Sequence, residues 1–261
     1  TFSNHTGIPP SKPIIQVDFD PLALGRFHAV TIPVLGEIGR TAQLLDEALA
    51  AGKLAAIDQR SEIKARWAIW NAEKEARSND DRGHGIASAR LFTELSAVTP
   101  ADAIIALDVG NNTYSFGRYF ESKQQQIVMS GYLASMGFAV PAAMGCWAAV
   151  KGKRKVLAIC GDGGLAQYVA EITTCVKYDM DITVIVLNDQ ELGKISKDQR
   201  GLQLKVWETN LVNPNFADFA TSCGAHGVRV TDPSLLNAAL RAAIQHPGPA
   251  LIEVMTDPEL V

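Results

Sequence analysis

Gly161-Asp162-Gly163-Gly164 and Asn188-Asp189 are the residues of this chain best suited to chemistry. An Asp carboxylate and an Asn carbonyl are hard oxygen donors, suited to a Mg²⁺ ion that also takes phosphate oxygens. Glycines leave the backbone N–H groups of a turn open to a phosphate, and a helix starting there adds its positive end. Together they read as a site for a metal ion and a diphosphate. For the tetrapeptide alone the alternative is an ordinary strand-to-helix turn, with a second such turn at Asn188-Asp189. Neither G-x-G-x-x-G nor G-x-x-x-x-G-K-[ST] is present there, so the commoner phosphate fingerprints do not account for the loop.

These residues need elements to bring them together. Residues 155–160 read as a buried strand, and 165–178 as a helix with Leu165, Val169, Ile172 and Val176 at helical spacing. Residues 182–187 read as a second strand. A helix of that length returns roughly 20 Å at about 1.5 Å per residue, and a strand of six or seven residues covers a similar distance at roughly 3.3 Å each. Asp162 and Asn188 are therefore expected side by side at the carboxyl edge of parallel strands, where open α/β sheets bind ligands.

Further strands are expected at 13–18, 103–107, 225–230 and 249–255, and helices at 39–51 and 87–96. The first of these helices has Leu44, Leu45, Ala48 and Leu49 on one side. Another helix follows Asp232-Pro233, with Asp232 as its cap and Leu235, Leu236, Ala239, Leu240, Ala243 and Ile244 as its inner face. Strands alternating with helices imply an α/β fold: a doubly wound parallel sheet with helices on both faces, preceded by the end of a second α/β domain. Residues 1–57 are expected to close that earlier domain. Residues 58–82 form a charge-rich helix around Trp67 and Trp70 and a polar linker, and 83–261 form the metal and diphosphate domain. Opening on Thr1 without Met, the chain looks like a piece of something longer.

Composition sets bounds on the partners. With 47% hydrophobic and 20% charged residues the chain can bury a full core, and a formal charge of −4 gives no footprint for nucleic acid. Residues 127–150 carry no formal charge, but Ser130, Gly131, Ser135, Gly137, Pro141 and Gly145 suit an internal helix better than a membrane span. Cys146, Cys160, Cys175 and Cys223 have no metal or redox spacing, so reduced buried thiols in a cytoplasmic protein are expected. The histidines, His5, His28, His84, His226 and His246, are scattered.

The run GDGGLAQYVAEITTCVKYDMDITVIVLND resembles the motif of the thiamine diphosphate enzymes, Gly-Asp-Gly followed after a helix and a strand by Asn. The resemblance implies Mg²⁺ bound by Asp162, Asn188 and the backbone carbonyl of Gln190. It implies cofactor contacts at Gly161, Gly163, Gly164, Leu192 and Gly193. Asp108-Val109-Gly110-Asn111-Asn112 is similar to the family loop that supplies other diphosphate contacts, here Gly110, Asn111 and Asn112. Gly131-Tyr132-Leu133-Ala134-Ser135-Met136-Gly137 is similar to the segment under the cofactor. There Met136 would prop the two rings into a bent shape and Ala134 would act as a backbone acceptor; the alternative for Met136 is a core methionine.

Lys12 to Pro21 and Ile32 to Ile38 resemble the end of the middle domain of the pyruvate oxidase and acetolactate synthase group, which binds FAD. That implies a flavin-facing loop at 1–7 and an adenosine ribose contact at Asp18, whose alternative is a surface turn residue. The resemblance covers the last two of three family domains. The amino-terminal pyrimidine domain, source of the catalytic Glu, has no counterpart here, and a homodimer or homotetramer, or a partner subunit, would complete the site. The reaction implied is decarboxylation of a 2-keto acid, most readily pyruvate, on thiamine diphosphate, with oxidation through FAD favoured by Asp198-Gln199 in the segment after the metal loop. The alternatives are an acetolactate synthase-type carboligase, in which a Trp is usual near position 198, and a catalytically silent cofactor-binding or assembly module. Lys194 and Lys197 depart from both enzyme patterns; they read either as contacts to an anionic substrate or, with Asp198, as a solvated, mobile lid.

Overall fold

A computed structural model of the chain describes residues 7–9, 11–52 and 57–260. The chain divides into two compact units, Thr1–Lys64 and Ala65–Val261. In the first, β1 (Ile15–Asp18) pairs in parallel with β2 (Ile32–Leu35), Ile15 opposite Ile32, and α1 (Ile38–Ala51) follows. Glu37 caps α1 by accepting from Gly39 N at 2.9 Å and Arg40 N at 2.6 Å. No residue of α1 is buried, and Leu44, Leu45 and Leu49 are about half exposed. The loop expected to face a flavin at 1–7 lies, Gly7 apart, outside the described residues, as does His5.

Helix α2 (Arg60–Ser78) crosses the division between the units. The second unit begins at Ala65, ahead of the polar linker expected before Gly83. Trp70 stacks on Tyr119 with centroids 6.1 Å apart, and Lys74 reaches Glu121 at 2.6 Å, so the later part of α2 packs within the second unit.

The remaining elements are α3 (Ser88–Val98), β3 (Ile104–Leu107), α4 (Asn111–Tyr119), β4 (Gln126–Met129), α5 (Ala139–Val150) and β5 (Val156–Gly161). After them come α6 (Asp162–Ala166), α7 (Glu171–Lys177), β6 (Ile182–Asn188), α8 (Gly193–Gly201), α9 (Phe216–Ser222), β7 (His226–Val230), α10 (Leu236–Gln245) and β8 (Ala250–Met255). Six strands form one parallel sheet in the order β4-β3-β5-β6-β8-β7. Alternate strand residues enter two separate cores. Ile105, Leu107, Leu157 and Ile159 pack with α3, α4 and α10, while Ala106, Val156, Ala158 and Val184 pack with α5, α7 and α9. The two-residue period of a strand thus covers both faces, which makes the sheet doubly wound.

Three local expectations change. The helix expected at 165–178 is two short helices, because Tyr168 N, Glu171 N and Ile172 N bond carbonyls three residues back and tighten the chain between α6 and α7. Leu235, expected on an inner face, is 60% exposed because Pro233–Leu235 is a 3₁₀ turn that precedes α10. The uncharged stretch 127–150 divides into β4, a loop and the 12-residue α5, and among the described residues no helix is long and apolar enough to cross a membrane. All four cysteines are free, and burial pushes the Cys175 thiol up to about 11.

Strand β7 comes close enough to α9 that a Cβ on Gly227 would lie 2.0 Å from the carbonyl oxygen of Ala217. Gly227→Ala is therefore expected to cost ~1–3 kcal/mol, the usual range for overpacking. A denaturant midpoint equal to that of the parent would refute this close approach.

Candidate functional site

The sheet order places the site before any side chain is considered. β4 follows β3 on its outer side, whereas β5 lies on the other side of β3, so the winding direction reverses between β3 and β5. Ligands of open α/β sheets bind outside the carboxyl ends of the strands at such a reversal. A cleft opens there. Gly110, Asn111 and Asn112 enter it where the chain turns from β3 into α4, and Gly161 to Gly164 at the junction of β5 and α6. Asp189, Leu192, Gly193 and Lys194 complete it from beyond β6, with Met136 opposite.

Gly161 pairs in register with Leu187, which sets Asp162 beside Asn188. Asp162 Oδ2 accepts from Gln190 N at 2.9 Å and Asn213 Nδ2 at 2.6 Å. Asn188 Oδ1 accepts from the same two donors at 3.2 and 3.1 Å, so the two oxygens converge. Asn188 is fully buried and donates its amide N–H to Glu253 Oε1 at 2.6 Å, which turns its oxygen toward Asp162. The Gln190 carbonyl accepts Leu211 N at 2.8 Å, and Gln190 itself adopts a left-handed φ of 58°.

The electrostatics of the cleft are negative. Burial raises the pKa of Asp162, against hydrogen bonds from Gly163, Asn213 and Gln190 that lower it. Asp189 is pushed up to about 7, first by burial and then by the charge of Asp162. Two desolvated carboxylates in one cleft are an arrangement that a divalent cation relieves. Among the described residues no group of three His, Cys, Asp or Glu could hold a metal, but a carboxylate, an amide oxygen and a carbonyl form a donor set of another kind, suited to Mg²⁺.

The other wall of the cleft rests on Asp108. Its buried carboxylate accepts from Val109 N at 2.7 Å, Gly137 N at 2.9 Å and Phe138 N at 3.3 Å, tying the end of β3 to the segment before α5. Burial raises its pKa and these N–H groups oppose the rise. A Cβ on Gly164 would lie 2.5 Å from Asp108 Oδ2, so only glycine admits this approach. Asn111 Nδ2 is buried without a hydrogen-bond partner, a donor aimed at the cleft that fits a phosphate oxygen. With five residues, α6 supplies little of the helix-end field expected from the sequence, so the backbone N–H groups and Asn111 carry the anion preference.

Not every expected residue enters the cleft. Ala134 is exposed in a left-handed conformation, φ 55°, and does not line it. Lys197 and Asp198 lie on α8 and line a neighbouring cleft, which Lys194 shares. The segment read as a lid is this helix, where Lys194 bonds Asp198 at 2.5 Å. Asp18, in the other unit, accepts Asp20 N at 3.0 Å and closes the turn after β1. Sequence reasoning missed Glu253 and Asn213, and also Glu191, whose carboxylate takes Arg200 at 2.9 Å and lies 3.4 Å from Thr209 Oγ1. Glu253 had a signal, a lone acid in the apolar strand Leu251-Ile252-Glu253-Val254; Asn213, in irregular chain before Pro214, had none.

Residues 108–254 match the family described as thiamine pyrophosphate enzyme, C-terminal TPP binding domain. Over 98% of its length the chain is 29% identical to YdaP of Bacillus subtilis, a protein named as containing thiamine pyrophosphate, and covers 44% of it. An acetolactate synthase large subunit of Parasynechococcus marenigrum is 26% identical over 94% of the chain, which covers 39% of that relative. The acetolactate synthase isozyme 2 large subunit of Escherichia coli is 26% identical over 95% of the chain, which covers 44% of it. The chain thus spans 39–44% of the length of these relatives.

Proposed function

The chain belongs to the thiamine pyrophosphate enzymes, and from that premise we propose that the whole protein decarboxylates a 2-keto acid and joins the product to a second one, as an acetolactate synthase-type carboligase does. The observation that carries this reading is the alignment of acetolactate synthases along 94–95% of the chain, through the cleft and α8 alike. It displaces as first choice the FAD-linked oxidation expected from Asp198-Gln199, for which the described residues and the named relatives offer no support.

In this reading Asp162 Oδ2, Asn188 Oδ1 and the Gln190 carbonyl hold Mg²⁺. Asn111, Asn112 and the backbone at Gly110, Gly161, Gly164 and Gly193 hold the diphosphate, Gly163 and Leu192 line it with their N–H groups engaged by Asp162 Oδ1 and the Thr209 carbonyl, and Met136 supports the rings. Thiamine diphosphate, when bound, would supply the electron sink for loss of CO₂. The protein's part is to orient: Asp108 fixes the two loops, Glu253 fixes the Asn188 amide, and Asn213 and Gln190 hold the two ligand oxygens together. A further domain or partner subunit, in a homodimer or homotetramer, supplies the groups this chain does not place in the cleft.

The test is the product formed by the full-length protein from pyruvate with thiamine diphosphate and Mg²⁺. Two molecules of pyruvate should give one of acetolactate and one of CO₂. Acetate or acetyl phosphate as main product, with reduction of a bound flavin, would replace this reading by the oxidase. Absence of CO₂ release would leave a cofactor-binding or assembly module.

A further inference from the structure

We propose that the cleft between α4 and α8 is an anion subsite that receives a compact anionic group of phosphoryl or carboxylate type. This cleft has a volume of about 240 Å³ and adjoins the first one, sharing Asn111 and Lys194 with it. Its other lining includes Ser115 and Arg118 from α4, and Lys197 and Asp198 from α8.

Charge and hydrogen bonding both point to an anion. Three cations against the single carboxylate of Asp198 leave the lining two positive charges in excess, in a chain whose formal charge is −4. Asp198 engages Lys194, whereas Arg118 and Lys197 form no ion pair among the described residues. Ser115 is 1% exposed and its Oγ has no hydrogen-bond partner. A buried hydroxyl in that condition is uncommon in a folded protein and calls for an acceptor from outside it. Asn111 Nδ2, buried and unpartnered at the junction of the two clefts, carries two N–H groups, so that one is left for this cleft when the other serves the first. Two orphan donors and two unengaged cations around one space make an acceptor-only ligand the matching chemistry.

Because Asn111 and Lys194 line both clefts, one molecule can occupy both, with its reacting end in the first and an acidic tail in the second. That extension rests on the function proposed above; the anion subsite itself does not. The same chemistry could come from free phosphate or from the tail of a keto acid substrate, and the experiment separates the two.

The full-length protein is titrated calorimetrically with inorganic phosphate, before and after saturation with thiamine diphosphate and Mg²⁺. Phosphate should bind in both conditions, and Ser115→Ala and Arg118→Gln should each weaken it about tenfold, the worth of one charge-assisted hydrogen bond. Both variants should keep the parent's unfolding midpoint and its thiamine diphosphate affinity. Phosphate binding that depends on Arg118 in a protein that does not bind thiamine diphosphate would uphold the subsite while the proposed function fails. Displacement of phosphate by 2-oxoglutarate but not by pyruvate would assign the subsite to a substrate tail, and its retention to free phosphate. Phosphate binding lost on saturation with thiamine diphosphate, or unchanged in both variants, would overturn the proposal.

Discussion

Replacing Asp162 by Ala is expected to abolish Mg²⁺-dependent binding of thiamine diphosphate. Among the described residues, Asp162 is the only carboxylate whose oxygen converges with Asn188 Oδ1 on shared donors, Gln190 N and Asn213 Nδ2. Mg²⁺ demands near-octahedral oxygen ligands and gives up water reluctantly, so the loss of an anionic ligand from a three-donor protein set is not made good by solvent. Outer residues that merely orient metal ligands already cost about 10–100-fold in affinity when removed, and a direct ligand should cost at least about 100-fold. Asp189 is a poor substitute: its carboxylate accepts from Glu191 N at 3.2 Å, and burial, the largest cause of its raised pKa, persists when the charge of Asp162 is removed. The readout is calorimetric titration with thiamine diphosphate at saturating Mg²⁺, and unchanged affinity would refute the assignment. Burial raises the Asp162 pKa, so folding disfavours its charged form. The cofactor-free variant should therefore keep its unfolding midpoint, which separates loss of the ligand from loss of the fold.

What the sequence made legible was what regular elements position. The lengths of the strands at 155–160 and 182–187 were enough to set Asp162 beside Asn188, because parallel register and a two-residue side-chain period leave little freedom. The break between α6 and α7 was not legible. Its apolar spacing is helical, and Leu165, Ile172 and Cys175 are indeed buried, but the i−3 hydrogen bonds at Tyr168 and Ile172 place Tyr168 against Gly137, a contact made across the fold. Asn213 was hidden for a related reason: it acts from a segment without periodicity, held by Leu211 N on the Gln190 carbonyl. The reaction was the least legible of all. Asp198-Gln199 pointed to an oxidase, whereas similarity spread over the whole chain favours a carboligase, and two residues of a solvent-facing helix turn carry little weight against it.

Glu253→Gln is expected to lower stability and Mg²⁺ affinity together, although it preserves volume. The Glu253 side chain is fully buried in β8, where Oε1 accepts from Asn188 Nδ2 at 2.6 Å and Oε2 from Ala217 N at 3.2 Å, with Arg229 Nε 3.8 Å away. Both main partners are donors, so two acceptor oxygens are needed. A Gln offers one acceptor and one donor and must leave either Asn188 or Ala217 unpaired. A buried group so abandoned costs ~1–3 kcal/mol. If the Gln oxygen turns to Ala217, its N–H₂ group meets that of Asn188 and favours the flipped Asn188 amide, whose nitrogen would then face Asp162 where an oxygen is required. Affinity for Mg²⁺ with thiamine diphosphate should fall by about 10–100-fold, the range found for groups that orient metal ligands. Measuring Mn²⁺ binding by its paramagnetic resonance alongside the unfolding midpoint separates the two effects. Lower stability with unchanged metal affinity would make Glu253 a packing residue, and no change in either would sink the assignment. Glu253→Ala should be worse on both counts, since it leaves Asn188, Ala217 and Arg229 without their carboxylate.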